Sequence, residues 1–125
     1  ESMVSKERAL ALYQGPFLVG EHDAWAIFPR ERLRNRYLRT VVSVGVAREA
    51  DSAGGFEAAV EWYRKGLEVD PLAEELYQGL IRCHGRLGRK AEALAAFHRC
   101  RQVLSKVLGV EPSAATVALA RYSWL

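Results

Sequence analysis

Three histidines and two cysteines are the side chains of this sequence that would serve a metal ion or a nucleophilic reaction: His22, His84, His98, Cys83 and Cys100. A structural zinc site draws its ligands in closely spaced Cys or His pairs, and a zinc hydrolase carries His-Glu-x-x-His on one helix. Neither pattern occurs here. His98 and Cys100 are two residues apart, which puts them on different faces of a helix. Gly54-Gly55 lies between helical runs, follows no strand, and reads as a linker instead of a phosphate loop. The expectation is therefore a chain with no catalytic residue, no metal and no cofactor, its histidines serving packing or surface roles.

The remaining chemistry is recognition of anions. Residues 29–39 read PRERLRNRYLR, with five arginines and one glutamate. Arg32, Arg36 and Arg39 fall on one face of a helix, and Arg30 and Arg34 on another. The guanidinium fork suits carboxylates and phosphates. Two uses are open at this point: pairing of Arg32 or Arg36 with Glu57 or Glu61 of a neighbouring helix, or contact with phosphate groups of DNA or a nucleotide. Trp25, Trp62 and Trp124 are candidate interface anchors, because tryptophan is enriched where binding energy concentrates.

These groups have to be positioned by helices. Residues 3–13 (MVSKERALALY) predict a first helix, ended by Gly15-Pro16. Phe17 to Gly20 is an apolar loop, and Asp23 can cap a short turn holding Trp25, Ile27 and Phe28. Pro29 suits the first turn of the next helix, which runs to Ala50 with apolar residues on two faces. Gly45 and Val41-Val42 weaken its intrinsic helicity, so packing must hold it. Helices follow over 56–69, from an Asp70-Pro71 start to about Arg86, over 90–108, and after a Ser113 cap with Thr116 at the third position. That makes six helices and no strand signal.

A 34-residue step superimposes the third of these helices on the fifth. Ala59 falls on Ala93, Val60 on Leu94, Tyr63 on Phe97, and Gly66 on Cys100. A period of that size marks tetratricopeptide-like helix pairs, whose apolar faces are covered by neighbouring pairs. The fold class expected is an all-α, tetratricopeptide-like solenoid of about six helices, with Ala59, Val60, Tyr63, Ala93, Leu94 and Phe97 as repeat core. The helix over 90–108 also carries Leu104 and Val107 or Leu108 in its apolar pattern. Trp62, whose counterpart is Ala96, sits at the edge of the stripe.

At 125 residues the chain makes one domain, expected to be a fragment of a larger regulator. No apolar run approaches the ~18–20 residues that span a bilayer, and no signal peptide is evident. Two cysteines are too few for a disulfide framework, and they read as buried reduced thiols of a cytoplasmic protein. The net charge of +3 conceals blocks: seven acids against two bases over 51–81, then seven bases against one acid over 82–106. Such blocks could steer nucleic acid or an acidic partner, although charges between core positions usually form solvated faces.

The order of landmarks resembles the bacterial transcriptional activator domain. ALALYQGPFLVG, then DAW leading into RERLRNRYLR, is similar to the opening of that family. The block from AAVEWYRKGLEVDP to VLGVEPS is similar to its remaining course. The resemblance covers roughly residues 8–122. Two places depart from it: Ala114-Ala115, where the family often has Pro and an acid, and Val-Val-Ser-Val-Gly-Val, where Leu, Ala and Glu are usual. The resemblance implies a non-catalytic regulatory module that dimerises and contacts RNA polymerase or companion domains, with DNA bound through another domain and no membrane partner. The alternatives are a generic tetratricopeptide scaffold for a peptide, or a sensor that takes an anionic nucleotide on its Arg-rich helix.

Overall fold

The structure is a computed structural model and describes residues 24–51 and 54–122. Its helices are α1 (Ala24–Glu49), α2 (Gly55–Val69), α3 (Glu74–Arg86), α4 (Lys90–Leu108) and α5 (Ala114–Tyr122). Among the described residues there is no strand, in keeping with the all-α expectation. The helix expected at 3–13, the apolar loop at 17–20, His22 and Trp124 lie outside the described residues.

The hub is α3, which packs against each of the other four helices. Consecutive helices pack in pairs, while α2 and α4 stand apart from one another. The layer formed by α1, α3 and α5 therefore carries α2 and α4 over its seams. Val41, Val44, Ala59, Tyr63, Leu76, Tyr77, Ile81, Ala93 and Cys100 form the centre, none more than 1% exposed. Burying a large side chain of this kind contributes about 1.5–3 kcal/mol. That offsets the weak helix propensity of the valine-rich stretch in α1.

One aromatic ring sets the close approach of three helices. A methyl group on Gly45 of α1, or on Gly79 of α3, would overlap the ring of Tyr63 from α2. The two glycines are 34 residues apart (79 − 45), the interval that also separates Tyr63 from Phe97. Between α1 and α2 the expected linker is a tight joint. Gly54 takes a left-handed φ of 75°, and a side chain on Gly55 would run into the carbonyl of Arg48.

Local chemistry sets three of the helix ends. The first helix described begins at Ala24, so Pro29 is its sixth residue and not part of its first turn. Proline already has a helical φ, and the helix continues through it at the loss of one backbone hydrogen bond. α3 begins at Glu74, later than Asp70-Pro71 suggests. Asp70 caps a preceding turn instead, its Oδ1 accepting from the Leu72 N–H at 3.0 Å. α4 ends at Leu108, with Gly109 closing it at φ 68°.

The repeat core is only partly symmetrical. Ala59 and Ala93 are both fully buried, and Gly66 and Cys100 are both buried. Val60 is buried but Leu94 is 40% exposed, and Tyr63 is buried but Phe97 only half so. Val107 and Leu108 are exposed as well. α2 is flanked by α1, of 26 residues, and by α3. α4 has 19 residues, and the described span of its following partner α5 has nine, too few to cover α4 over its whole length at about 1.5 Å per residue.

Candidate functional site

Three surface features could receive a partner, and two of them are built from side chains of different helices. The first is a groove between α2 and α4, floored by α3. Its apolar lining is Leu67, Tyr77, Leu80, Ala95 and Ala96, and its volume is about 400 Å³. Arg64, Glu68, Glu92 and Arg99 stand along its sides. His84 lies at one end, 3% exposed. Its Nδ1 has no hydrogen-bond partner and is 4.0 Å from Glu92 Oε2. Burial lowers the pKa of this imidazole, against the pull of Glu92 and with the help of Arg64 and Arg89, so it is held neutral. The signal for this groove in the sequence was the alanine-rich first half of α4, whose small side chains leave room between facing helices.

The second feature is a groove between α1 and α3 with an apolar floor of Leu38, Val42, Ala73 and Leu76. Arg39 and Glu75 also line it. The third is the exposed apolar series Leu94, Val107, Leu108 and Val110 on and just after α4. Phe97 joins it half-buried, with Arg101 over its ring at 5.7 Å.

Behind these surfaces two polar clusters fix the helices. Arg82 of α3 grips Glu49 of α1 with both prongs, Nε to Oε1 at 3.0 Å and a terminal nitrogen to Oε2 at 2.8 Å. This hydrogen bond is the main reason the guanidinium pKa is raised. Charge-assisted forks of this kind are among the stronger hydrogen bonds. At the other end, Glu74 of α3 accepts from the Ser113 N–H at 2.8 Å and from the Thr116 hydroxyl. Thr116 in turn accepts from Gln78 at 2.9 Å. Burial works against the charged carboxylate, but these donors outweigh it and hold the Glu74 pKa below its ordinary value. A negative charge there also favours the N-terminus of α5.

The sequence-derived site residues are dispersed. Arg32, Arg34, Arg36 and Arg39 are exposed along the first half of α1, with Arg30 half-buried. The suggested pairing of Arg32 or Arg36 with Glu57 or Glu61 does not occur. Glu57 pairs with Arg89, just before α4, at 3.4 Å, and Glu61 with Arg64 of its own helix at 3.5 Å. Trp62 is half-buried against the core with Lys65 Nζ 4.6 Å from its ring centre. Cys83 and Cys100 are buried and free. Among the described residues no three His, Cys, Asp or Glu side chains gather where they could hold a metal ion. Nor is any helix there long and apolar enough to cross a membrane.

The five described helices and the grooves between them define an all-α domain. Residues 1–122 match the bacterial transcriptional activator domain, and the chain belongs to that family. Comparison with curated proteins and with solved structures gives no match.

Proposed function

We propose that residues 1–125 form a single non-catalytic domain, part of a larger cytoplasmic transcriptional activator, that holds protomers together and contacts RNA polymerase or companion domains. DNA would be bound through another domain of the full regulator. The helices would then stack as a tetratricopeptide-like solenoid, with α2 and α4 as the first members of successive pairs. Membership of the family over residues 1–122 is the observation that carries this reading.

The exposed residues Leu94, Leu108 and Val110 support the dimer part of it. Apolar surface rimmed by polar groups is what self-association buries. Sedimentation of the chain over a concentration series tests this directly. Leu94→Glu with Leu108→Glu should shift a dimer to monomer while helicity stays intact. A wild-type chain that remains monomeric throughout rules out the dimer. Unchanged promoter activation after removal of residues 1–122 from the regulator rules out the regulatory role.

A second reading is favoured by the groove between α2 and α4: a scaffold for a peptide whose apolar side chains enter beside Leu67 and Leu80. Ala95→Glu, at an exposed position on the wall of this groove, would abolish peptide binding without burying a charge in the core, and leaves Leu94 and Leu108 in place for self-association, which separates the two readings.

A further inference from the structure

We infer that the outer face of α1 is a contact surface for the phosphate backbone of duplex DNA, read without regard to base sequence. It rests on membership of the family and not on the dimer or polymerase roles. Arg32, Arg36 and Arg39 lie at i, i+4 and i+7, so they share one side of the helix over about 10 Å of its length. All three side chains are exposed. None of them makes an ion pair or donates a hydrogen bond among the described residues. Glu57 and Glu61 of α2 are engaged with Arg89 and Arg64, and the acids that share a groove with Arg39 are Glu74 and Glu75 of α3.

Like charges at i, i+4 destabilise a helix unless something neutralises them. Here α1 keeps three in a row with no carboxylate between, the other exposed residues between Arg32 and Arg39 being Arg34 and Asn35. No exposed residue of this stretch is aromatic or a large aliphatic. Leu38 and Val42 are partly buried in the groove against α3, which Asn35 and Arg39 also line. Protein interfaces need a desolvated apolar centre depleted of charge, whereas nucleic-acid interfaces are polar and strongly positive. The guanidinium fork matches phosphate oxygens. Charge and shape therefore favour a phosphate backbone over an acidic protein.

Fluorescence anisotropy with a labelled duplex of arbitrary sequence, titrated with the full chain over a salt series, tests this. Each neutralised phosphate contributes about −0.9 to the slope of log K against log salt, so three arginines give about −2.7. R32Q/R36Q/R39Q should lose most of that slope, and each single Arg→Gln substitution about 0.9 of it. R32K/R36K/R39K should keep it, as should Arg64→Gln on α2. If the triple neutralisation were to impair folding, the single variants decide. The inference is overturned if the chain does not bind duplex DNA at low salt or if the neutralised variants keep the wild-type slope. Tighter binding to polyglutamate than to DNA also overturns it. None of these results bears on self-association, so the dimer reading stands or falls separately.

Discussion

The phenol of Tyr63 donates a 2.5 Å hydrogen bond to Glu49 Oε2, tying the middle of α2 to the last residue of α1. Burial first, and then the Glu49 carboxylate, raise the phenol pKa well above its ordinary value, so it stays a donor. Arg82 reaches the same carboxylate from α3. Three helices thus converge on one side chain, and the strongest predictions concern it.

Tyr63→Ala removes a ring that is 1% exposed and should destabilise by about 3–5 kcal/mol. Phe97→Ala, at the repeat-equivalent but half-buried position, should cost about 1 kcal/mol, in proportion to the area it buries. Urea denaturation of both variants measures the ratio. Equal losses would mean that Phe97 is covered as fully as Tyr63.

Gly79→Ala should run against helix propensity. An alanine in mid-helix ordinarily gains about 1 kcal/mol over glycine. Here the added methyl overlaps the Tyr63 ring, and overpacking costs about 1–3 kcal/mol. In a Tyr63→Ala background the overlap is gone, so Gly79→Ala should become stabilising. The sign reversal across that double-mutant cycle is the measurement.

Stability should fall with acid in two separate windows. His84 has its pKa lowered from 6.5. The unfolded chain therefore binds this proton first, and the contribution, complete above about pH 6.5, is lost as pH drops through the folded value. Glu74 has its pKa lowered from 4.5, and by the same sign its contribution is complete above about pH 4.5 and lost below. Thermal melts against pH should show both losses. His84→Gln removes the upper one and Glu74→Gln the lower.

The two thiols should be silent in the folded protein. Burial pushes Cys83 up to about 12 and Cys100 up to about 11, so little thiolate exists near neutrality. A thiol reagent should label both at the rate of unfolding and not at the rate of free cysteine. Fast labelling in native buffer would show that α3 or α4 opens locally.

Much of this molecule was legible because its helices are bounded by local chemistry. Gly109 closes α4 where expected, and Ser113 with Thr116 opens α5, its Oγ accepting from the Thr116 N–H at 3.4 Å. Ala59 and Ala93 are buried because the apolar period puts them inside. What periodicity cannot supply is how far a neighbouring helix covers the stripe: Leu94 is exposed, Phe97 packs on the core only partly buried, and Val107 and Leu108, between which the period does not choose, are both exposed. Nor can it pair residues distant in sequence. Glu49 and Arg82 are 33 positions apart and Glu74 and Ser113 are 39 apart, and each pair meets only because α3 is central. The grooves have the same origin, since α2 and α4 contribute side chains to a space that neither helix implies alone.

With a single phenol ring filling the gap between Gly45 and Gly79, the fan of the helical layers takes its pitch from one side chain. A smaller residue at position 63 would let α1 and α3 lean together and pull α2 inward, reshaping the width of the neighbouring groove. Selectivity for whatever lies along α2 would then be tuned from behind, by a residue no ligand ever meets.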